Sequence, residues 1–285
     1  MSRYLDEVVK FIKEKGYNVI RISEVLPGGE TETAEIVSAS RSQDIYSGAK
    51  AFTMTAIGML CDDGLLSVDE KIIDIFADVL PEGIDPRWEK ATVEHALLHK
   101  AGLPHGFMDI DTANTMEFGK DHLKTLFSVP LAYTPGEGRI YTDAAYYLLS
   151  RVVTAKSGIK LDDFMWQRMF ADMGFMEAAW SKCPMGYPIG ATGLFVHTSD
   201  MVKLAELYRD KGVYHGKRFL SEDWVNTVYE KEYCFEWDTT HTIFFKGGMA
   251  GQKIMFNAVN GRAVAMQSYG ADSDVVLKFT ADFKD

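Results

Sequence analysis

Two short alternating apolar runs near the start of the chain and three near its end, separated by a long helix-patterned middle, predict an α+β protein. Its core would be one antiparallel five-stranded sheet, with the terminal helices packed on one face and the middle forming a separate helical layer. That layout divides the chain into a sheet domain, 1–45 and 195–285, and a helical domain, 46–194, with any active site in the cleft between them. No internal repeat or low-complexity tract interrupts it.

Leu5, Val8, Val9 and Ile12 form one apolar face of a first helix that Gly16 ends. Val19 to Ile22 and Thr33 to Val37 read as strands around the turn Pro27-Gly28-Gly29. From Ser47 an apolar run without proline reads as a helix buried on most sides. Ser67-Val68-Asp69-Glu70 has the pattern of a capping box opening a short helix to about Phe76. Thr92 to His99 reads as a helix closed by Gly102, and Leu103 to Lys120 as an irregular surface stretch carrying Asp109, Asp111 and Asn114. Ala144 to Lys156 and Leu161 to Met173 repeat at helical spacing. Thr198 or Ser199 would cap another helix, and Ser221 one more. Thr242 to Lys246, Lys253 to Val259 and Arg262 to Ser268 are strands, the last two joined at Asn260-Gly261, and Val275 to Phe283 is a closing helix.

Composition removes several classes of function. A formal net charge of −11 and a pI near 5.1, with no cluster of Lys and Arg, oppose binding to nucleic acid or to an anionic membrane. Cys61, Cys183 and Cys234 are widely spaced and odd in number, so they read as reduced thiols rather than a disulfide framework or zinc knuckle. Charged residues interleave with apolar ones in the first twenty positions, as in neither a signal peptide nor a membrane anchor. If Met1 is the natural start, the expected location is the cytoplasm. The oligomeric state is not readable from the sequence.

Chemistry concentrates at Ser47-Gly48-Ala49-Lys50. One helical turn separates the hydroxyl from the amine, and the first-turn position brings the positive end of the helix dipole to a forming oxyanion. A lysine held in a dry pocket can lose its proton and serve as base to a serine. About one S-x-x-K is expected by chance in a chain of this composition, and a second copy, Ser157 to Lys160, reads as a loop. Alone, then, the motif fits a buried helix start better than a nucleophile. His95 and His99 share a helix face, but H-A-L-L-H lacks the glutamate of H-E-x-x-H and an obvious third ligand, so no metal is expected.

The order of the segments after Ser47 strengthens the chemical reading. AKAFTMTAIGMLCDDGLLSVDEKI, EHALLHKAGLP, YTPGEGRIYTDAAYYLLSRVV, the stretch from Gly190 to Val225 and FFKGGMAGQ together resemble the serine β-lactamases and penicillin-binding proteins. The likeness is to the branch of class C β-lactamases, DD-peptidases and related esterases. It covers nearly the whole chain, with three motifs in the expected order. Tyr141-Thr142-Asp143 stands at the Tyr-x-Asn motif and Lys246-Gly247-Gly248 at the Lys-Thr-Gly triplet.

The resemblance implies a β-lactamase/transpeptidase-like fold and a small ester, amide or β-lactam substrate, with no metal or organic cofactor. Ser47 would be acylated, with Lys50 and Tyr141 sharing its proton. The backbone N–H groups of Ser47 and Met249 would form the oxyanion hole. Asp143, Lys246, Gly247 and Gly248 would face the substrate. Taken singly, Tyr141 also reads as a packing aromatic and Lys246 as a solvated edge-strand charge. Two departures bear on substrate. Asp143 in place of Asn accepts hydrogen bonds only, which removes a donor from an amide carbonyl and adds an acceptor for an N–H or ammonium. Gly247 in place of Thr removes a contact to a substrate carboxylate. A DD-peptidase or D-amino-acid peptidase, a catalytically silent ligand-binding homologue, and an interaction protein with coincidental motifs are the alternatives.

Overall fold

The structure, a computed structural model, describes residues 1–284. In chain order the elements are α1 (Arg3–Lys15), β1 (Val19–Val25), β2 (Glu32–Glu35), β3 (Ser42–Asp44), α2 (Ala49–Asp62), α3 (Ile72–Ile75), α4 (Val93–Leu97), α5 (His122–Ser128), α6 (Asp143–Ser157) and α7 (Leu161–Met165). Beyond these come β4 (Ala178–Trp180), β5 (Leu194–His197), α8 (Thr198–Arg209), β6 (Val213–Tyr214), β7 (Lys217–Arg218), α9 (Glu222–Lys231), β8 (Glu236–Trp237), β9 (Ile243–Gly247), β10 (Lys253–Asn257), β11 (Ala263–Ser268) and α10 (Ser273–Asp282). They fall into two compact units: Met1–Gly48 with Phe170–Ala179 and Leu194–Asp285, and Ala49–Met169 with Trp180–Gly193. The segment Phe170–Ala179, assigned from sequence to the helical part, belongs to the first unit.

The first unit is built on an antiparallel sheet of order β2-β1-β11-β10-β9-β8. It has six strands where the sequence pattern indicates five. The added edge strand β8 is two residues long, too short for any alternation, and is held by Trp237 against Phe244, ring centroids 4.8 Å apart. Register decides which side chains share a face. Ile22 stands opposite both Met266 and Ala34, and Val264 opposite Met255. These apolar pairs join Tyr4, Leu5, Val8 and Ile12 of α1 and Val276 of α10 in one core. Helix α1 starts and stops where its sequence dictates: Ser2 Oγ accepts the Leu5 N–H, and Gly16 takes the left-handed conformation at φ 70°. Ala263 and Ala265 line the opposite face, where their small side chains let α8 lie against β1, β10 and β11.

Because β1 is buried along its whole length, its polar residues need partners. Arg21 donates to the Ala39 and Ser40 carbonyls at 2.6 and 2.7 Å, and Ser23 shares a hydrogen bond with Thr33. Glu24 accepts from Arg262 Nε at 2.9 Å, and that guanidinium lies over the Tyr4 and Phe283 rings.

The second unit is helical. Helix α2 is buried from Ala49 to Leu60, as its unbroken apolar run requires, and packs against α6 and α7. Thr142 caps α6 by accepting the Ala144 N–H, while its own hydroxyl donates to the Phe107 carbonyl at 2.7 Å. Three local expectations differ. Ser67 accepts the Asp69 N–H in a turn instead of opening a helix, and α3 begins only at Ile72. The helix from Leu161 widens into a π turn at Trp166–Phe170. His197, not Thr198 or Ser199, is the N-cap residue of α8, and its side chain makes no cap hydrogen bond.

Replacing Glu24 by Ala leaves the Arg262 charge buried without its carboxylate, which costs roughly 3–5 kcal/mol. Urea unfolding should show a loss of that size, with Glu24→Gln recovering part of it; a change under about 0.5 kcal/mol would remove the pair from the account of stability.

Candidate active site

Ser47 is the middle residue of a 3-10 turn, Tyr46–Gly48, that runs straight into α2. The turn is fixed on both sides. Asp44 Oδ1 accepts the Tyr46 N–H at 2.8 Å, and the Gly48 N–H donates to the Ile45 carbonyl at 2.9 Å. Tyr46 is held at φ 47°, a left-handed conformation that costs a non-glycine residue of order 1 kcal/mol. Within the same unit, the end of β9 approaches this turn. A Cβ at Gly248 would lie 2.5 Å from the Ile45 carbonyl oxygen and 2.5 Å from Gln252 Oε1, so only glycine fits. Gly248 N–H donates to the Gln252 carbonyl, and Met249 comes next with an exposed side chain. Lys246, on β9 opposite Ile254, is 6 % exposed and thus not the solvated edge charge that its sequence position also allows.

The second unit gathers Lys50, Tyr141 and Asp143. Lys50 is completely buried; its Nζ donates to Asp143 Oδ1 at 2.6 Å and to the Ala191 carbonyl at 2.9 Å. It hydrogen-bonds Tyr141 and lies 4.8 Å from the centre of that ring. Tyr141 is 41 % exposed, so one edge of the ring remains reachable. Beneath it lies His99, ring centroids 4.3 Å apart, whose Nδ1 accepts the Thr142 N–H at 3.3 Å.

These partners set the charge state. Burial by itself drives the Lys50 pKa down, but Tyr141 and then the Asp143 carboxylate outweigh it, and the net value lies above that of an ordinary lysine. This corrects the expectation of a dry lysine that has lost its proton. The pocket is dry, yet it contains a carboxylate at hydrogen-bond distance, and Lys50 is an ammonium at neutral pH. Asp143 is likewise more than a substrate contact, since one of its oxygens is committed to Lys50.

The sequence pattern places Asp109 and Asp111 in an irregular loop and gives them no role. The structure brings a carboxylate oxygen of each within 4.8 Å of one from Asp143, the one group of potential metal-ligating side chains found among the described residues. Thr192 Oγ1 lies 2.8 and 2.9 Å from the two oxygens of Asp111. His95 and His99 do not form a metal pair: each spends Nδ1 on a backbone N–H, of Thr92 and Thr142 respectively. No described helix is long and apolar enough to cross a membrane.

The chain belongs to the Beta-lactamase family, whose model matches residues 25–283. An Escherichia coli K12 protein described as "Putative D-alanyl-D-alanine carboxypeptidase" is 25 % identical over 249 residues, covering 82 % of this chain and 52 % of the relative. The chain therefore spans about half the length of the curated relatives it matches. Among solved structures, a penicillin binding protein from Bacillus halodurans superposes with a TM-score of 0.69 at 19 % identity, covering 96 % of this chain and all of that one. EstCE1, a hydrolase with promiscuous acyltransferase activity, does so with 0.74 at 13 % identity and 98 % of each chain. Both show the likeness of fold.

The raised Lys50 pKa gives its stability contribution a definite sign: the contribution is complete below the ordinary lysine value of 10.5 and is lost as pH rises through the higher folded value. Urea unfolding of the parent and of Lys50→Met/Asp143→Asn should therefore differ by a constant amount from pH 6 to 9 and by less above about 10.5. Lys50→Met alone should cost roughly 3–5 kcal/mol by stranding Asp143, with Asp143→Asn restoring part. Separately, Gly248→Ala should displace the segment against Ile45 and lower Ser47 acylation at least tenfold with little change in circular dichroism; undiminished acylation would show that the close approach does not matter.

Proposed function

We propose that the protein is an acyl-serine hydrolase acting on a small ester, amide or β-lactam, with Ser47 as nucleophile. The observation that carries this reading is Lys50, a wholly buried ammonium in the first turn of the helix after Ser47, bonded to both Tyr141 and Asp143. A buried charge is costly, and structural needs alone do not call for one at this place in an otherwise apolar helix.

A charged Lys50 supports the following roles. Ser47 Oγ forms a bond to the substrate carbonyl carbon, and its proton passes to Tyr141 Oη while the Tyr141 hydroxyl proton passes to the leaving atom. The Lys50 ammonium stabilises negative charge as it develops on Tyr141 during this relay, instead of taking the proton itself. The bond to the leaving group then breaks, and water attacks the acyl-serine by the reverse relay. Backbone N–H groups of Ser47 and Met249 receive the carbonyl oxygen, a reading supported by the contact that Gly248 makes with the Ser47 turn. Lys246 offers positive charge to an anionic part of the substrate. Proton and acyl group are both moved by side chains, and the scheme calls for no cofactor.

A peptidase of D-amino-acid peptides is the second reading, supported by the name of the Escherichia coli relative. Mass spectrometry of intact protein incubated with a penicillin, an activated ester and a D-alanyl-D-alanine peptide, beside Ser47→Ala, tests both. Adduct or turnover that vanishes in the variant is expected, and the reagent consumed identifies the leaving group. No adduct and no product from any of the three would favour a silent ligand-binding protein.

A further inference from the structure

One residue, His99, holds Tyr141 at three points, all within the second unit. Its carbonyl accepts the Ile140 N–H at 3.0 Å and its Nδ1 accepts the Thr142 N–H at 3.3 Å, so the backbone is pinned on both sides of Tyr141. The imidazole lies against the Tyr141 ring, centroids 4.3 Å apart, and against Tyr146 at 5.1 Å. Lys50 Nζ stands over the same two rings, at 4.8 and 5.9 Å. His99 is buried, whereas Tyr141 is partly open to solvent. A ring open on one side keeps a single orientation only if its other side is held.

The backbone of His99 argues that its side chain is kept for a purpose. The residue follows Leu98, the C-cap of α4, at φ 57°, the left-handed position that glycine or asparagine ordinarily takes at a helix end. An imidazole there adds strain and does nothing for the cap, since a glycine carbonyl would accept the Ile140 N–H equally well. Glycine could supply neither the Nδ1 acceptor nor the ring, and both act on Tyr141 or its neighbour. An Nδ1 that accepts a hydrogen bond carries no proton, so this imidazole is neutral and brings no second cation to the phenol beside Lys50. We propose that His99 is a positioning residue for acyl transfer, its ring and Nδ1 together holding the Tyr141 hydroxyl in the one direction that meets Lys50. The proposal rests on the acyl-serine reading, in which Tyr141 relays the proton, and adds to it a residue that acts through Tyr141. Aim matters in such a relay, because a displacement of about 1 Å at a reacting group costs on the order of a hundredfold in rate.

Two substitutions divide the ring from the acceptor. Asparagine tolerates the left-handed backbone and keeps an acceptor at the δ position, but has no ring. Phenylalanine keeps a ring and leaves the buried Thr142 N–H without its acceptor. His99→Asn should stay within about 5 °C of the parent melting temperature, and His99→Phe should fall further. Activity should run the other way. With para-nitrophenyl acetate, His99→Asn should lose at least about tenfold in kcat while KM changes less than about twofold, and His99→Phe should keep more of kcat. Tyrosine isotope-labelled at Cζ and read by NMR reports on the ring itself, the Tyr141 signal being identified by its loss in Tyr141→Phe. In His99→Asn that signal should broaden or drift towards the position of free tyrosine, and in His99→Phe it should stay near that of the parent. An unmoved Tyr141 signal or an unchanged kcat in His99→Asn, or rates that follow melting temperature across the two variants, would each overturn the positioning role. No turnover by the parent, or turnover that survives in Ser47→Ala, would instead remove the acyl-serine reading, and the Tyr141 signal then decides by itself whether His99 orients that ring.

Discussion

The second unit is organised around one buried ion pair, Lys50 with Asp143. An ammonium with no exposure to water must be answered within hydrogen-bond distance, and that requirement fixes three separate pieces of chain. Helix α2 supplies the amine, and the first turn of α6 supplies the carboxylate. The third piece, residues 188–192, threads close to both. Thr53 donates to the Gly190 carbonyl, Lys50 to that of Ala191 and Ser150 to that of Pro188. A Cβ at Gly190 would lie 2.8 Å from that of Ser150 and 2.9 Å from the Tyr146 carbonyl, so the path is open only to glycine. The same strand of chain carries Thr192 to Asp111, which ties the acidic loop to the floor of the site.

The first unit answers a different constraint. Its sheet is covered on both faces, so a polar residue on β1 survives only where a partner stands opposite. Arg21, Ser23 and Glu24 each have one, and the ladder runs on from β1 through β11 and β10 to β9, the strand that carries Lys246 and leads into Gly248.

Much of this is legible in the sequence. The terminal helices, β9 to β11 and the Ser47 helix announce themselves by periodicity and by turn residues, because both signals are local. The order of the three motifs locates Ser47, Lys50, Tyr141 and Lys246, since each motif is a short run of neighbours. The features hidden from the sequence depend on residues far apart in it. Asp109 and Asp111 lie in a loop with no repeat, and their approach to Asp143 is set by the packing of α6 and by Thr192. The protonation of Lys50 is hidden for the same reason. Burial shows in an apolar run, but the groups that outweigh it, Tyr141 and then Asp143, come from the start of a helix about ninety residues further on, Asp143 lying 93 residues from Lys50. Strand β8, at two residues, is shorter than any period that could reveal it.

The backbone at Tyr46 has a wider meaning. Glycine would occupy that left-handed turn without strain and yet would let the next residue sample many orientations. A residue with a side chain there narrows the choice, and Asp44 fixes its backbone by accepting the Tyr46 N–H. The chain gives up a small amount of its stability to hold the backbone that leads into Ser47 in one conformation, so that strain in a single residue takes the place of freedom in the whole turn.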